Sequence, residues 1–498
     1  MRSVTRLLSV VLLAASSASP VFAAPPRPTN LVFILTDNQG AWTLGCYGNT
    51  DIDTPNIDRL AAGGVRFTRA YSPNGVCSPT RATLLTGLMP SQHGVHSYLG
   101  GEGAQMGEHA YNTIAEFRSL PEILSEAGYT CGLVGKWHLG ANATPQDGFT
   151  TWITKPTGHT STFYGAEVVE DGKVRVEDGY LTDLWTTRAV RFLEENREQP
   201  FFLFLSYNGP YNLGQSLNHP ARNRHAERYA NEFLPSFPRD GVHPWLHNNK
   251  QFLGNLTSIR RVAAETSGVD DGVGEVVATL DRLGLTEDTL VVYTADQGWI
   301  GGQNGLWGMG DHTRPLTAFD GMMHVPLIFR QPGTIPSEAT SDLLVSGYDV
   351  LPTLLTHLGL GDEMPAAPKS PGRDFSAVLR GDEIEPRDAV FYEMENVRAI
   401  RTATAKYVHR HPDGPYELYD LTTDPGEKVN LYGQPGHESL RDELRNRLEA
   451  FFAEYVEPKY DLYRDGASKS GLRTQPQAIP LRPAADSDSR RRRIPNPE

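Results

Sequence analysis

The residues best suited to chemistry stand in four short strings. In Cys77-Ser78-Pro79-Thr80-Arg81-Ala82-Thr83-Leu84-Leu85-Thr86-Gly87, the proline sits just inside a helix start and leaves Cys77 at the helix N-terminus. Free N–H groups there favour a bound anion, and Arg81 follows one helical turn later on the same face. Alone, such a cysteine is more often a small buried hydrophobe or half of a disulfide. Lys136 and His138 lie two residues apart, which puts both side chains on one face of an extended segment. Asp37-Asn38 follows the apolar run Leu31–Leu35, and Asp296-Gln297 follows Leu290–Tyr293.

Those runs, with Phe201–Leu205 leading into Ser206-Tyr207-Asn208, are continuous rather than alternating. Such runs suit strands covered on both faces, hence a mostly parallel sheet between helices. Helical patterns fall around Ile57–Ala62, Leu120–Ala127, Asp183–Glu195 and Val262–Leu283. Ligands of open α/β sheets sit beyond the strands' carboxyl ends, where Asp37, Asn38, Asp296 and Gln297 stand. From about Arg387 short strands precede a helix carrying Leu440, Leu444, Leu448, Phe451, Phe452 and Tyr455, a small antiparallel sheet with its packing helix. The expected organisation is a leader over residues 1–23, a catalytic α/β domain over 27–385, a C-terminal α+β unit over 386–463 and an unstructured tail over 464–498. Residues 211–256 hold no persistent period and are rich in Asn, His, Arg and Pro, which suggests a loop wall over the site.

The chain has 498 residues and a net charge of −14, so bulk electrostatics argues against nucleic acid as the main partner. Arg2 and Arg6 precede the apolar run Leu7–Ala15, and Val21-Phe22-Ala23 reads as a cleavage site, so export to a periplasm or the medium is expected. No later segment is long and apolar enough to span a bilayer. Three cysteines in an oxidising compartment leave at least one of Cys46, Cys77 and Cys131 unpaired.

Cys-x-Pro-Thr-Arg with a following Leu-Thr-Gly resembles the signature of the type I sulfatases of the alkaline phosphatase superfamily. Gly128-Tyr129-Thr130-Cys131-Gly132-Leu133-Val134-Gly135-Lys136-Trp137-His138 is similar to their second signature. The resemblance runs from Asn30-Leu31-Val32-Phe33 to Leu418-Tyr419-Asp420-Leu421 and Asp424-Pro425-Gly426-Glu427. It implies a large, mostly parallel or mixed sheet flanked by helices, alkaline phosphatase-like, with a smaller C-terminal α+β subdomain. It also implies that a maturation enzyme converts Cys77 to Cα-formylglycine, whose hydrate is a gem-diol nucleophile. One hydroxyl attacks sulfur, and the second lets the product collapse and release sulfate. Asp37, Asn38, Asp296 and Gln297, with the modified Cys77, would hold Ca²⁺ through the oxygen donors a hard cation prefers. Arg81 and Lys136 would orient the gem-diol and bind sulfate, and His138 would contact sulfate and serve as general base.

The chain departs from that pattern in three places. Asn38 and Gln297 offer amide oxygens where the family has carboxylate, Asn or His. The family's Asn-x-Pro-His reads Asn208-Gly209-Pro210-Tyr211, so a tyrosine replaces the leaving-group histidine. The usual distal Lys is missing from Asp311-His312-Thr313-Arg314-Pro315; Arg314 could supply its charge to sulfate, and His312 is then the candidate acid, ahead of Tyr211 and His324. Three readings therefore stand: a sulfuric ester hydrolase, a phosphonate or phosphate diester hydrolase using the same nucleophile, and a weakly active or non-catalytic binder of sulfated glycans. A sulfated carbohydrate suits the first, with Trp245 stacking on a sugar and Arg222 or Arg224 meeting another sulfate.

Overall fold

A computed structural model describes residues 28–474 except 102 and 240. The expected leader lies outside the described residues. Ten strands form the main sheet: β1 (Asn30–Asp37), β2 (Val65–Phe67), β3 (Thr130–Gly135), β4 (Phe149–Thr154), β5 (Tyr164–Glu170), β6 (Lys173–Tyr180), β7 (Phe201–Pro210), β8 (Thr289–Ala295), β9 (Leu327–Arg330) and β10 (Ala339–Ser341). Their spatial order is β10-β2-β9-β8-β1-β7-β3-β4-β5-β6. The three apolar runs become neighbours at its centre: Leu31 of β1 pairs in parallel with Phe202 on one side and Leu290 on the other. Parallel pairing continues from β7 through β3 to β4, while β9 and β5 run antiparallel to their neighbours.

Helices cover both faces, as the continuous apolar strands require. On one face α1 (Pro55–Ala62), α4 (Leu181–Asn196) and α5 (Leu256–Arg282) bury Ile57, Trp185, Phe192, Val269 and Val273. On the other, α2 (Cys77–Thr86), α3 (Leu120–Glu126) and α6 (Val350–His357) bury Ala82, Leu85, Leu124, Leu351 and Leu354. Helix α5 starts earlier than its apolar period suggests because the Asn255 side chain accepts from the N–H groups of Thr257 and Ser258.

Strands β11 (Ala389–Met394), β12 (Val397–Thr402), β13 (Ala405–Arg410) and β14 (Glu417–Asp420) form an antiparallel sheet. Helix α7 (Glu438–Tyr455) buries Leu444, Leu448 and Phe452 against Ile400, Tyr407 and Leu418. Among the described residues no helix is long and apolar enough to cross a membrane.

One expectation needs correcting. The tail read as unstructured from residue 464 is packed as far as Thr474; the rest lies outside the described residues. Ser470 Oγ accepts from the N–H groups of His96 and Ser97 at 3.2 and 2.9 Å, and buried Lys469 donates to the Thr113 carbonyl at 2.7 Å. Polar anchoring of this kind leaves no apolar period to read.

Candidate active site

The strand ends do gather the four strings. Asp37 closes β1, Asp296 follows β8, Lys136 follows β3, and Cys77 is the first residue of α2. Ligand atoms of Asp37, Cys77 and Asp296 all lie within 4.8 Å of one another, and all three residues are buried. Cys77 Sγ is 3.5 Å from Asp37 Oδ1 and 3.4 Å from Gln297 Nε2, whose amide also contacts Asn38 Oδ1.

Two buried ion pairs brace this cluster. Lys136 Nζ donates to Asp37 Oδ2 at 2.6 Å, and Arg81 grips Asp296 Oδ2 through Nε at 3.0 Å and Nη2 at 2.8 Å. Arg81 Nη1 donates to the Lys136 carbonyl at 2.7 Å and to Ser206 Oγ at 2.6 Å. Arg81 therefore ties strand ends together. Burial, helped by Asp296 and opposed by Lys136, pushes Asp37 up to about 7. Burial also holds the Cys77 thiol well above its ordinary value, so the unmodified thiol stays protonated and is a poor nucleophile.

The donor set fits a hard cation. Asp37, Asn38, Asp296 and Gln297 are buried together with carboxylate and amide groups; Gln297 turns Nε2 to Cys77 Sγ and Asn38 Oδ1, and its Oε1 has no hydrogen-bond partner among the described residues. Two carboxylates with side-chain amides beside them are the donor chemistry an oxygen-coordinated ion takes.

His138 stands beside this cluster with a left-handed backbone, φ 62°. Its ring packs so closely on Gly158 that a Cβ there would lie 1.9 Å from it. The Leu99 carbonyl can only accept, so the 3.0 Å contact fixes the proton on His138 Nε2. Nδ1 is left as a buried lone pair with no partner. Burial, with Lys136 and His159 adding, lowers the imidazole well below its usual range and keeps it neutral.

The leaving-group side is built from loops. Tyr211 (φ 37°) donates its N–H to the Asp37 carbonyl at 3.1 Å, and Lys136 Nζ sits 5.4 Å from its ring centroid. Burial, with Asp37 adding, raises the phenol well above its ordinary value, so Tyr211 suits a positioning hydrogen bond better than acid work. His312 Nδ1 accepts from the Met309 N–H at 3.3 Å and lies 3.2 Å from Asp311 Oδ1, while Met309 Sδ is 3.4 Å from Gln297 Nε2. Gly308, at φ 132°, makes room for the His312 ring, since a Cβ would meet it at 2.8 Å. Arg314 Nη1 donates to the carbonyls of Asp311 and Thr313, both at 2.7 Å. Burial would raise Asp311, but His312, Arg473 and Arg314 outweigh it and hold the carboxylate below its ordinary range.

Other expectations fail on contact. His324 Nε2 donates to the Thr68 carbonyl at 2.9 Å and the ring packs on Tyr71, away from the cluster among the described residues. Arg224 pairs with Asp183 at 2.6 Å and Asp271 at 3.4 Å, which neutralises it, and Arg222 lies over the Tyr164 ring at 4.3 Å. Trp245 packs against His243, Phe319 and Arg410 and accepts the Arg314 N–H at its carbonyl, which makes it a support of the Arg314 loop. All three cysteines are free. Ser206, the Leu99 carbonyl, His159 and Asp311 complete the site without having been singled out; a backbone carbonyl carries no signal in residue type.

This sheet with its separate small antiparallel sheet has an alkaline phosphatase-like architecture. A family model for sulfatases matches residues 29–360, and one for the C-terminal region of N-sulphoglucosamine sulphohydrolase matches 312–454. An N-acetylglucosamine-6-O-sulfatase of Bacteroides thetaiotaomicron is 26% identical over 91% of each chain. An N-acetylgalactosamine-6-sulfatase of Rattus norvegicus is 32% identical over 79% of this chain and 74% of its own. A protein solved in complex with its substrate D-glucosamine-2-N,6-O-disulfate shares the fold, with a TM-score of 0.67 and 24% identity over 86% of this chain and 98% of its own. The chain belongs to the sulfatase family, whose members hydrolyse sulfuric ester bonds.

Proposed function

We propose that this enzyme releases sulfate from a sulfated carbohydrate, with Cys77 matured to formylglycine and Ca²⁺ held by Asp37, Asn38, Asp296 and Gln297. The supporting observation is the meeting of Asp37, Cys77 and Asp296 within 4.8 Å, next to Lys136 and to a neutral His138 with an open Nδ1. The hydrated aldehyde supplies a nucleophile with two hydroxyls, and the cation neutralises sulfuryl oxygens. Lys136 binds and orients the group at position 77, held in place by Asp37. Arg81 fixes Asp296 against the β3 end, so that the carboxylates keep their spacing. His138 takes a proton at Nδ1, the only ring nitrogen that the Leu99 carbonyl leaves open. His312 protonates the departing alcohol oxygen, with Tyr211 positioning it and Arg314 facing sulfate. The relatives are named for 6-sulfates of N-acetylhexosamines, which makes a hexosamine 6-sulfate the first substrate to try. Export through the N-terminal leader, into a compartment reached by a maturation enzyme, belongs to the same reading.

The test is sulfate release from hexosamine and aryl sulfates, on protein whose peptide mass shows formylglycine at position 77. Release from a sugar sulfate supports the reading. An unmodified cysteine in material from the native host, or release of phosphate but not sulfate, overturns it.

A further inference from the structure

A ladder of rings leads outward from the buried base to solvent. His138 meets His159 at 5.3 Å between centroids, His159 meets Tyr98 at 4.7 Å, and the Arg473 guanidinium lies 3.8 Å from the Tyr98 centroid. His159 is exposed and Tyr98 half-buried, so the last rungs form the mouth of the site. Arg473 and Arg314 both help His312 hold the Asp311 carboxylate below its ordinary range.

The segment bearing Arg473 is fastened by its backbone. The buried Glu395 carboxylate accepts from the Arg473 N–H at 2.9 and 2.8 Å and from the Thr474 N–H at 2.9 Å. Ser470 and Lys469 secure the preceding turn, as described above. Glu395 thus spends its charge on main-chain donors, and among the described residues the Arg473 guanidinium forms no ion pair. Its Nε is buried and has no hydrogen-bond partner among the described residues. An arginine held by its backbone, backed by an aromatic face and, among the described residues, outside ion-pair distance of any carboxylate is arranged to receive an anion with its planar fork.

Arg473 lies beyond both matched family regions, which end at residues 360 and 454. We infer that Arg473, stacked on Tyr98 beside His159, forms a subsite for a second anionic substituent of the substrate, a sulfate or a carboxylate, next to the sulfate being cleaved. Resting on the sulfatase reading, this narrows the substrate class to sugars that carry at least two negative groups. Lining up the second anion at the mouth would orient the scissile ester toward Cys77 and lower KM more than it raises kcat.

The experiment compares wild type with Arg473→Gln and Arg473→Lys on four probes. They are 4-nitrophenyl sulfate, N-acetylglucosamine 6-sulfate, glucosamine-2-N,6-O-disulfate and a 6-sulfated disaccharide containing a uronic acid. Arg473→Gln is expected to lose about ten- to a hundredfold more kcat/KM on the doubly anionic probes than on the singly anionic ones, mainly through KM. Arg473→Lys should recover part of that selectivity. A loss confined to the disulfate identifies a second sulfate, and one confined to the uronate probe identifies a carboxylate. The same factor on all four probes, or no effect on any, overturns the subsite. Calorimetric binding of the two doubly anionic probes to Cys77→Ala protein, with and without Arg473→Gln, decides the question independently of turnover. If wild type releases no sulfate but Arg473→Gln still weakens that binding, the catalytic reading fails while the subsite stands. Melting temperatures of both variants identify a merely structural role, which would lower all four activities together.

Discussion

The two halves of the site are built on different materials. The nucleophile half takes Asp37, Lys136, Asp296 and Cys77 from three strand ends and one helix start, all buried, with each carboxylate matched to a cation. The leaving-group half combines Tyr211, buried just past the end of β7, with loops around residues 98–101, 155–160, 309–315 and 468–474, which carry exposed or half-buried rings and arginines. A sheet edge cannot move one of its groups without moving its hydrogen-bonded neighbours, so it suits chemistry that must be held to a fraction of an ångström. Loops can change without that cost, and so suit the choice of substrate.

The largest expected effect comes from the rigid half. Cys77→Ala should abolish turnover with the melting temperature nearly preserved, since the small side chain contributes little packing. Cys77→Ser should be almost as damaging, because serine offers one hydroxyl where the hydrated aldehyde has two. Substantial activity in either variant, measured as sulfate release, would remove the formylglycine reading.

Asp296→Ala should follow closely. It removes a cation ligand and leaves Arg81, 1% exposed, without its carboxylate. Breaking such a buried pair costs about 3–5 kcal/mol of stability. Calcium should raise the melting temperature of wild type but not of the variant, and turnover should fall by ~10³-fold or more. If exhaustive chelation of wild type changes neither melting temperature nor rate, the cation assignment is wrong.

The loop half should show selective losses. His312→Ala should cost ~10²–10⁴-fold on a sugar sulfate, whose alkoxide needs a proton, and far less on nitrophenyl sulfate. Tyr211→Phe should cost less and act evenly on both substrates. Equal losses for His312→Ala would shift the acid role to Tyr211 and blur the division between the halves.

The same division governs what could be read from the amino-acid order. Strands, helices and the nucleophile half were legible because each functional residue ends a contiguous apolar run or starts a helix, so one short string holds both the element and the group. Asn38 and Gln297 were found by position although their types depart from the pattern. Nothing comparable marks Tyr98, His159 and Arg473, which tertiary packing brings together from three distant loops. Leu99 works through its carbonyl, and Ser206 is one of many serines. Residues 465–474 were read as unstructured because their order rests on Lys469, Ser470 and the main-chain bonds to Glu395, none of which produces hydrophobic periodicity. Arg222 and Arg224 were drawn to the site by charge alone, and the carboxylates of Asp183 and Asp271 neutralise Arg224.

The smallest effect tests whether the loop wall has a weakness that the sheet edge lacks. Residues 104–113 pack on the loop after His138, with Thr113 N–H donating to the Leu139 carbonyl and Ala141 N–H to the Ala104 carbonyl, both at 2.9 Å. A side-chain bond from Asn112 Nδ2 to Asp147 Oδ1, 2.7 Å, pins this seam. Asp147 Oδ2 is buried without a partner, and burial, opposed by Asn112, pushes the carboxyl from 3.8 up to about 7. Unlike Asp37 and Asp296, it has no cation beside it. A carboxyl raised on folding contributes stability that is fully present below its unfolded value, near 3.8, and lost as pH rises through about 7. In calcium-loaded protein, wild type should therefore lose stability relative to Asp147→Asn as pH is raised across that window. The difference should reach about 1–3 kcal/mol by pH ~8, read from urea unfolding at matched pH. Asparagine keeps the acceptor for Asn112 and carries no charge, so the variant's own curve should lack this component. A stability difference that stays constant across the window would mean that Asp147 ionises normally, and the wall would then be fastened as firmly as the strand ends.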